Sequence, residues 1–103
     1  MKVIIWGYPL YSHTHSYIHD AFYKAFEYLG YETYWFHDEG YPDDFDWNDC
    51  VFWTEGFADK NIPLNENSVY FVHVCPDPAK YINAGVKKFI DVRPNGEIGR
   101  AHV

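Results

Sequence analysis

Basic residues are scarce in this 103-residue chain: eight lysines and arginines face fifteen aspartates and glutamates, for a net charge of −7. Nucleic-acid recognition needs a basic footprint, so that class of partner is argued against. Long apolar runs are missing as well, and none approaches the length of a membrane span. The start, Met1-Lys2-Val3-Ile4-Ile5-Trp6, is basic but meets Gly7 and Pro9 too soon for the apolar region of a secretory signal. Cysteine is nearly absent. Cys50 and Cys75 fall at a strand start and a strand end and read as reduced and structural, which favours an intracellular, cytoplasmic setting. No internal repeat and no low-complexity segment occurs. One domain with a modest core is expected.

Aromatic residues are plentiful instead, with Tyr 10, Phe 8 and Trp 4. Many must be partly exposed, which suits a surface made for another domain or for a ring-shaped ligand such as a sugar. The opening of the chain carries the clearest pattern. Residues 2–6 are a short apolar run of the kind buried in a parallel sheet. A polar loop, 7–16, leads to a helix over 17–29, with Ser16 placed to cap it and Gly30 to stop it. A second strand follows over 30–36. Ile18, Ala21, Phe22, Ala25, Phe26 and Leu29 share one face of the helix and are expected to pack on the core. His19 and Asp20 are expected to be solvated first-turn residues.

The rhythm continues in compressed form. Residues 37–48 make an acidic, turn-rich link, read as a solvated loop with no site in it. Third, fourth and fifth strands are expected over 49–54, 68–74 and 88–92, and a brief helix over 77–84 with Asp77 as cap and Pro78 at its first position. The fold class is therefore α/β, a Rossmann-like parallel sheet of about five strands with few short helices, and the expected strand order is 3-2-1-4-5. In such sheets ligands sit over the carboxyl ends of the strands. That rule selects His13 and His15, two histidines one residue apart just before a helix N-terminus, where unpaired amides favour an anionic group. Either imidazole could serve as a general base. Ser16, Glu55, His73 and Asp77 are the other strand-end candidates for substrate binding. With the expected order, strands one and four are neighbours, bringing His13 and His15 toward His73 and Asp77, with Glu55 farther along the rim.

The far end reads differently. Glu97-Ile-Gly-Arg-Ala-His-Val103 is what GAG ATC GGA AGA GCA CAC GTC encodes, and all but the first base of that string matches a widely used short-read sequencing adapter whose next triplet is a stop. Residues 97–103 are accordingly read as adapter-derived rather than native, and residues 1–96 as a half-domain cut from a longer protein.

Residues 2–36 resemble the opening of GT-B glycosyltransferases: a first strand, a loop ending in His15 and a polar residue, a helix, then a turn, Gly30-Tyr31-Glu32-Thr33, into strand two. The strings 5–10, 12–16 and 54–63 are also similar to glycosyltransferase-like proteins of environmental and viral origin. The resemblance implies the acceptor-side domain of an enzyme that moves a sugar from a nucleotide-sugar to a hydroxyl on a sugar or glycan. His15, or failing that His13, would be the base, with Glu55, His73 and Asp77 shaping the crevice. The nucleotide-sugar would be a co-substrate held mainly by a C-terminal domain not included here, with no further cofactor and no protein-bound metal, so the fragment alone would be inactive. Only Gly7 stands where many sugar transferases carry a Gly-rich loop, which favours an acceptor role for this loop. A rival resemblance is to metal-dependent phosphoesterases that open on His-x-His-Ser, here His13-Thr14-His15-Ser16 with Asp20 following. A non-catalytic Rossmann-like binding domain is the third reading.

Overall fold

A computed structural model describes residues 1–9 and 16–92, together with the backbone of 98–102. Five parallel strands carry the fold: β1 (Lys2–Trp6), β2 (Glu32–Phe36), β3 (Cys50–Glu55), β4 (Val69–His73) and β5 (Lys88–Val92). Helix α1 (Ser16–Tyr28) joins β1 to β2, and α2 (Pro78–Asn83) joins β4 to β5. The α/β Rossmann-like class read from the sequence is the class found. The backbone of β6 (Ile98–His102) pairs antiparallel with β5 at the sheet edge.

Strand order departs from expectation. It is β2-β1-β3-β4-β5-β6, so β3 lies beside β1 and separates it from β4. The cause lies in the link over 37–49, which crosses beneath β1 instead of stepping outward from β2. Two of its aromatic residues, Phe45 and Trp47, pack half-buried on the core on the way: Trp47 meets Trp6 at 5.9 Å, Phe36 at 5.7 Å and Phe52 at 6.3 Å between ring centroids. Phe45 packs edge-on to Trp47 at 4.6 Å. Segment 37–48, expected to be a solvated loop, is therefore half core.

Side chains alternate across the sheet. One face carries Ile4, Trp6, Phe52, Tyr70, Val72 and Phe89, all buried, and is roofed by the 37–49 link, by Ile62 and Leu64, and by Tyr81 of α2. The other face carries Val3 and Ile5 beneath α1, then half-buried Val51, Trp53, Phe71, Ile90 and Val92. Helix α1 meets it through Phe22 on Trp53 at 4.2 Å and Tyr23 on Trp35 at 5.9 Å. Of the expected apolar face of α1, Phe22 and Phe26 are half-buried and Phe22 meets the sheet, while Ile18 is 46% exposed and Leu29 66%. The residues that α1 buries are Ser16 and His19, the latter contrary to the solvated position expected for it. Residues 18, 21, 22 and 25, with Tyr17, instead line an open apolar groove of about 500 Å³. Asp20 behaves as a surface residue, paired with Lys24 one turn on at 3.0 Å.

Candidate functional site

The chain runs one way from β1 to β2 and the other way from β3 to β5, so the switch point lies between β1 and β3. Crossovers leave on opposite faces there and open a crevice over the strand carboxyl ends. A cleft of about 440 Å³ occupies that place, lined by Gly7, Tyr8 and Pro9 after β1, His37, Asp38 and Glu39 after β2, and Phe57 and Ala58 after β3.

Asp38 holds the cleft together. Its Oδ1 accepts from the Trp6 indole at 3.0 Å and from the Asn61 backbone amide at 2.7 Å, and its Oδ2 accepts from the Lys60 amide at 3.0 Å. Asn61 Nδ2 returns a bond of 2.9 Å to the Asp38 carbonyl. A Trp placed at the end of a central strand must find an acceptor for its N–H when buried, and Asp38 supplies it while tying the β2 and β3 exits together. The Tyr8 hydroxyl lies on the same side, donating to the Phe57 carbonyl at 3.4 Å. Its pKa is raised above the ordinary value, first by burial and then by the Glu55 and Asp38 carboxylates. Phe57 offers its ring to solvent at 72% exposure.

Behind Gly7 sits a buried pair. His19 is 2% exposed and Glu55 3%, and His19 Nε2 lies 4.0 Å from Glu55 Oε2. A carboxylate this deep needs a polar partner, and the His19 imidazole stands beside it. Gly7 makes room for the ring: a Cβ there would stand 2.0 Å from His19 Cε1. Register sets His73 directly beside Glu55 on the same face, at the end of β4. The backbone around His73 is tightly held. Gly56 donates to the His73 carbonyl at 3.0 Å, Val74 donates to Val92 at 2.9 Å, and Val74 sits at φ +54. A β-branched residue in that left-handed region carries strain on the order of 1–3 kcal/mol.

The sequence candidates divide accordingly. Glu55 lies at the switch point, next to β1 rather than far along the rim, and His73 is its neighbour. Ser16 opens α1 on the same face and is buried. Asp77 belongs elsewhere: it precedes α2, on the Tyr81 side of the sheet, is exposed, and makes no side-chain capping bond. The approach of His13 and His15 to β4, expected from the 3-2-1-4-5 order, does not follow from the observed one, because β3 intervenes. His13 and His15 themselves lie outside the described residues. Among the described residues, no group of three or more His, Cys, Asp or Glu side chains is arranged to hold a metal ion. Nor is any helix among them long and apolar enough to cross a membrane. Both cysteines are free and buried, and burial pushes both thiols up.

Tyr8, His19, Asp38 and Phe57 were not singled out as site residues by sequence reasoning. Asp38 and Phe57 each follow a strand end by two residues, the one signal that could have found them. No known protein family, curated protein or solved structure matches the chain.

Proposed function

We propose that the cleft over β1 and β3 binds a sugar ring, and that the chain is the acceptor-side half of a glycosyltransferase. The observation that carries this reading is the cleft at the switch point, which combines aromatic side chains, Tyr8 and Phe57, with a carboxylate fixed in place, Asp38. Sugars present apolar C–H faces to aromatic rings and hydroxyls to carboxylates, and a site for them needs both. In the transfer itself the acceptor hydroxyl oxygen attacks the anomeric carbon of the donor. The bond to the departing diphosphate breaks with its electron pair, and the hydroxyl proton passes to a base. His15, or failing that His13, is the base in this reading. The loop that carries both leaves from Pro9, a lining residue of the cleft, and rejoins the described fold at Ser16. Glu55 and His73 stand side by side at the ends of β3 and β4. A nucleotide-sugar donor and its diphosphate belong to a second domain, so this chain alone transfers no sugar.

Calorimetric titration with methyl glycosides and, separately, with nucleotide-sugars tests the reading. Glycosides should bind with Kd on the order of 1 mM, and Phe57→Ala should weaken them about tenfold, the worth of one aromatic contact. Tight binding of nucleotide-sugars with none of glycosides would overturn it, as would sugar transfer by the chain alone.

A further inference from the structure

The acidic side chains of Asp38 and Glu39 line the cleft together with the His37 imidazole, and Lys60 meets Asp38 through its backbone amide. The donors that hold the Asp38 carboxylate are an indole N–H and two backbone amides, all neutral, so they fix the carboxylate without cancelling its charge. Glu39 stands exposed on the rim, where its carboxylate is in water and within reach of a ligand. Tyr8 lies near Glu55 and Asp38 as well, and their carboxylates add to burial in raising its hydroxyl pKa. Two aromatic side chains, Tyr8 and Phe57, complete the lining, and a ring face attracts a cation through its quadrupole. The whole chain is acidic as well, at −7. Carboxylates joined to aromatic faces in one concave site are the chemistry that recognises an ammonium group, and they repel phosphate and carboxylate.

We infer that the cleft selects an acceptor ring bearing a protonated amine, an amino sugar, over neutral and anionic sugars. The inference rests on the reading of the cleft as a sugar site. Glu39 pairs with the ammonium at the rim while the aromatic rings take the C–H face, and Asp38 receives a ring hydroxyl.

Titration of the 103-residue chain with glucosamine, N-acetylglucosamine, methyl glucoside and glucose 6-phosphate at low salt is the test. N-acetylglucosamine keeps the ring and removes the charge, so the comparison isolates the amine. Glucosamine should bind about tenfold tighter than N-acetylglucosamine, and the advantage should shrink to about twofold near 1 M NaCl, where charges are screened beyond a few ångströms. Glu39→Gln, an exposed substitution that leaves the core untouched, should bring the ratio of glucosamine to N-acetylglucosamine affinity down toward one. Equal binding of glucosamine and N-acetylglucosamine would overturn the inference and leave the sugar site standing. A preference that survives both Glu39→Gln and high salt would also overturn it, as would tighter binding of glucose 6-phosphate. Failure of every sugar to bind would remove the sugar site itself, and the inference with it.

Discussion

The two faces of the sheet are built from similar residues and finished to different degrees. On the Trp6 face, Tyr70 lies parallel to Phe52 at 4.7 Å, Tyr81 lies on Phe89 at 4.9 Å, and the Tyr70 hydroxyl donates to the Pro63 carbonyl at 2.5 Å. Links and a short helix roof that face from edge to edge. On the α1 face the helix covers β1 and its neighbours, while Trp53 and Phe71, stacked at 5.4 Å, remain half-buried beyond it. Parallel sheets are ordinarily covered on both faces. The contrast teaches that stability resides on the Trp6 face, and that the cleft is anchored there, because Asp38 binds through Trp6.

Phe52 and Phe71 put that contrast to the sharpest test, since they are one residue type on adjacent strands and opposite faces. Phe52→Ala should cost about 3–5 kcal/mol, as for a fully buried aromatic side chain. Phe71→Ala should cost about 1 kcal/mol, as for a substitution outside the core. Urea denaturation midpoints measure both. Equal losses would abolish the distinction between the faces.

A smaller effect distinguishes the Trp6 face by pH. Asp59 is buried there, accepts a hydrogen bond from the Tyr81 hydroxyl, and lies 3.7 Å from the Lys80 ammonium. Burial raises its pKa above the ordinary 3.8, and the Tyr81 hydrogen bond and Lys80 offset only part of the rise. A carboxyl with a raised folded pKa binds its proton more tightly in the folded state. Its stabilisation is complete below 3.8 and is lost as pH climbs through the folded value. Asp59→Asn keeps an acceptor for Tyr81 and cannot ionise. Melting temperatures of the wild type should therefore fall relative to Asp59→Asn as pH rises from the acid range, then run parallel at neutral pH. A constant gap at all pH values would contradict the burial argument.

The strands were the legible part of this chain because each is a bounded apolar run, and all five fall within one or two residues of their expected limits. Their order was not legible. An outward step and a crossing beneath β1 demand the same pattern in the strands, and the difference rests on where Phe45 and Trp47 bury. Helix α1 was found, but its packing face was misread. Apolar periodicity marks Ile18, Ala21, Phe22, Ala25, Phe26 and Leu29, of which Phe22 meets the sheet, while the helix is rotated so that His19 fits over Gly7 and against Glu55. That fit involves three distant positions, and no local pattern records it. Glu55 and His73 were found as strand-end residues. Asp38 was passed over because an acidic residue in a turn-rich link reads as solvated, and its three hydrogen bonds come from residues 6, 60 and 61.

A ligand bound in the cleft would lie between the exits of β1 and β3. Backbone amide chemical-shift mapping with a methyl glycoside measures this most directly. Perturbations should cluster on Gly7, Tyr8, Asp38, Glu39 and Phe57 and spare both Asp77 and the Ile18–Ala25 side of α1. Perturbations centred on Asp77 and α2, or on the α1 groove, would contradict it.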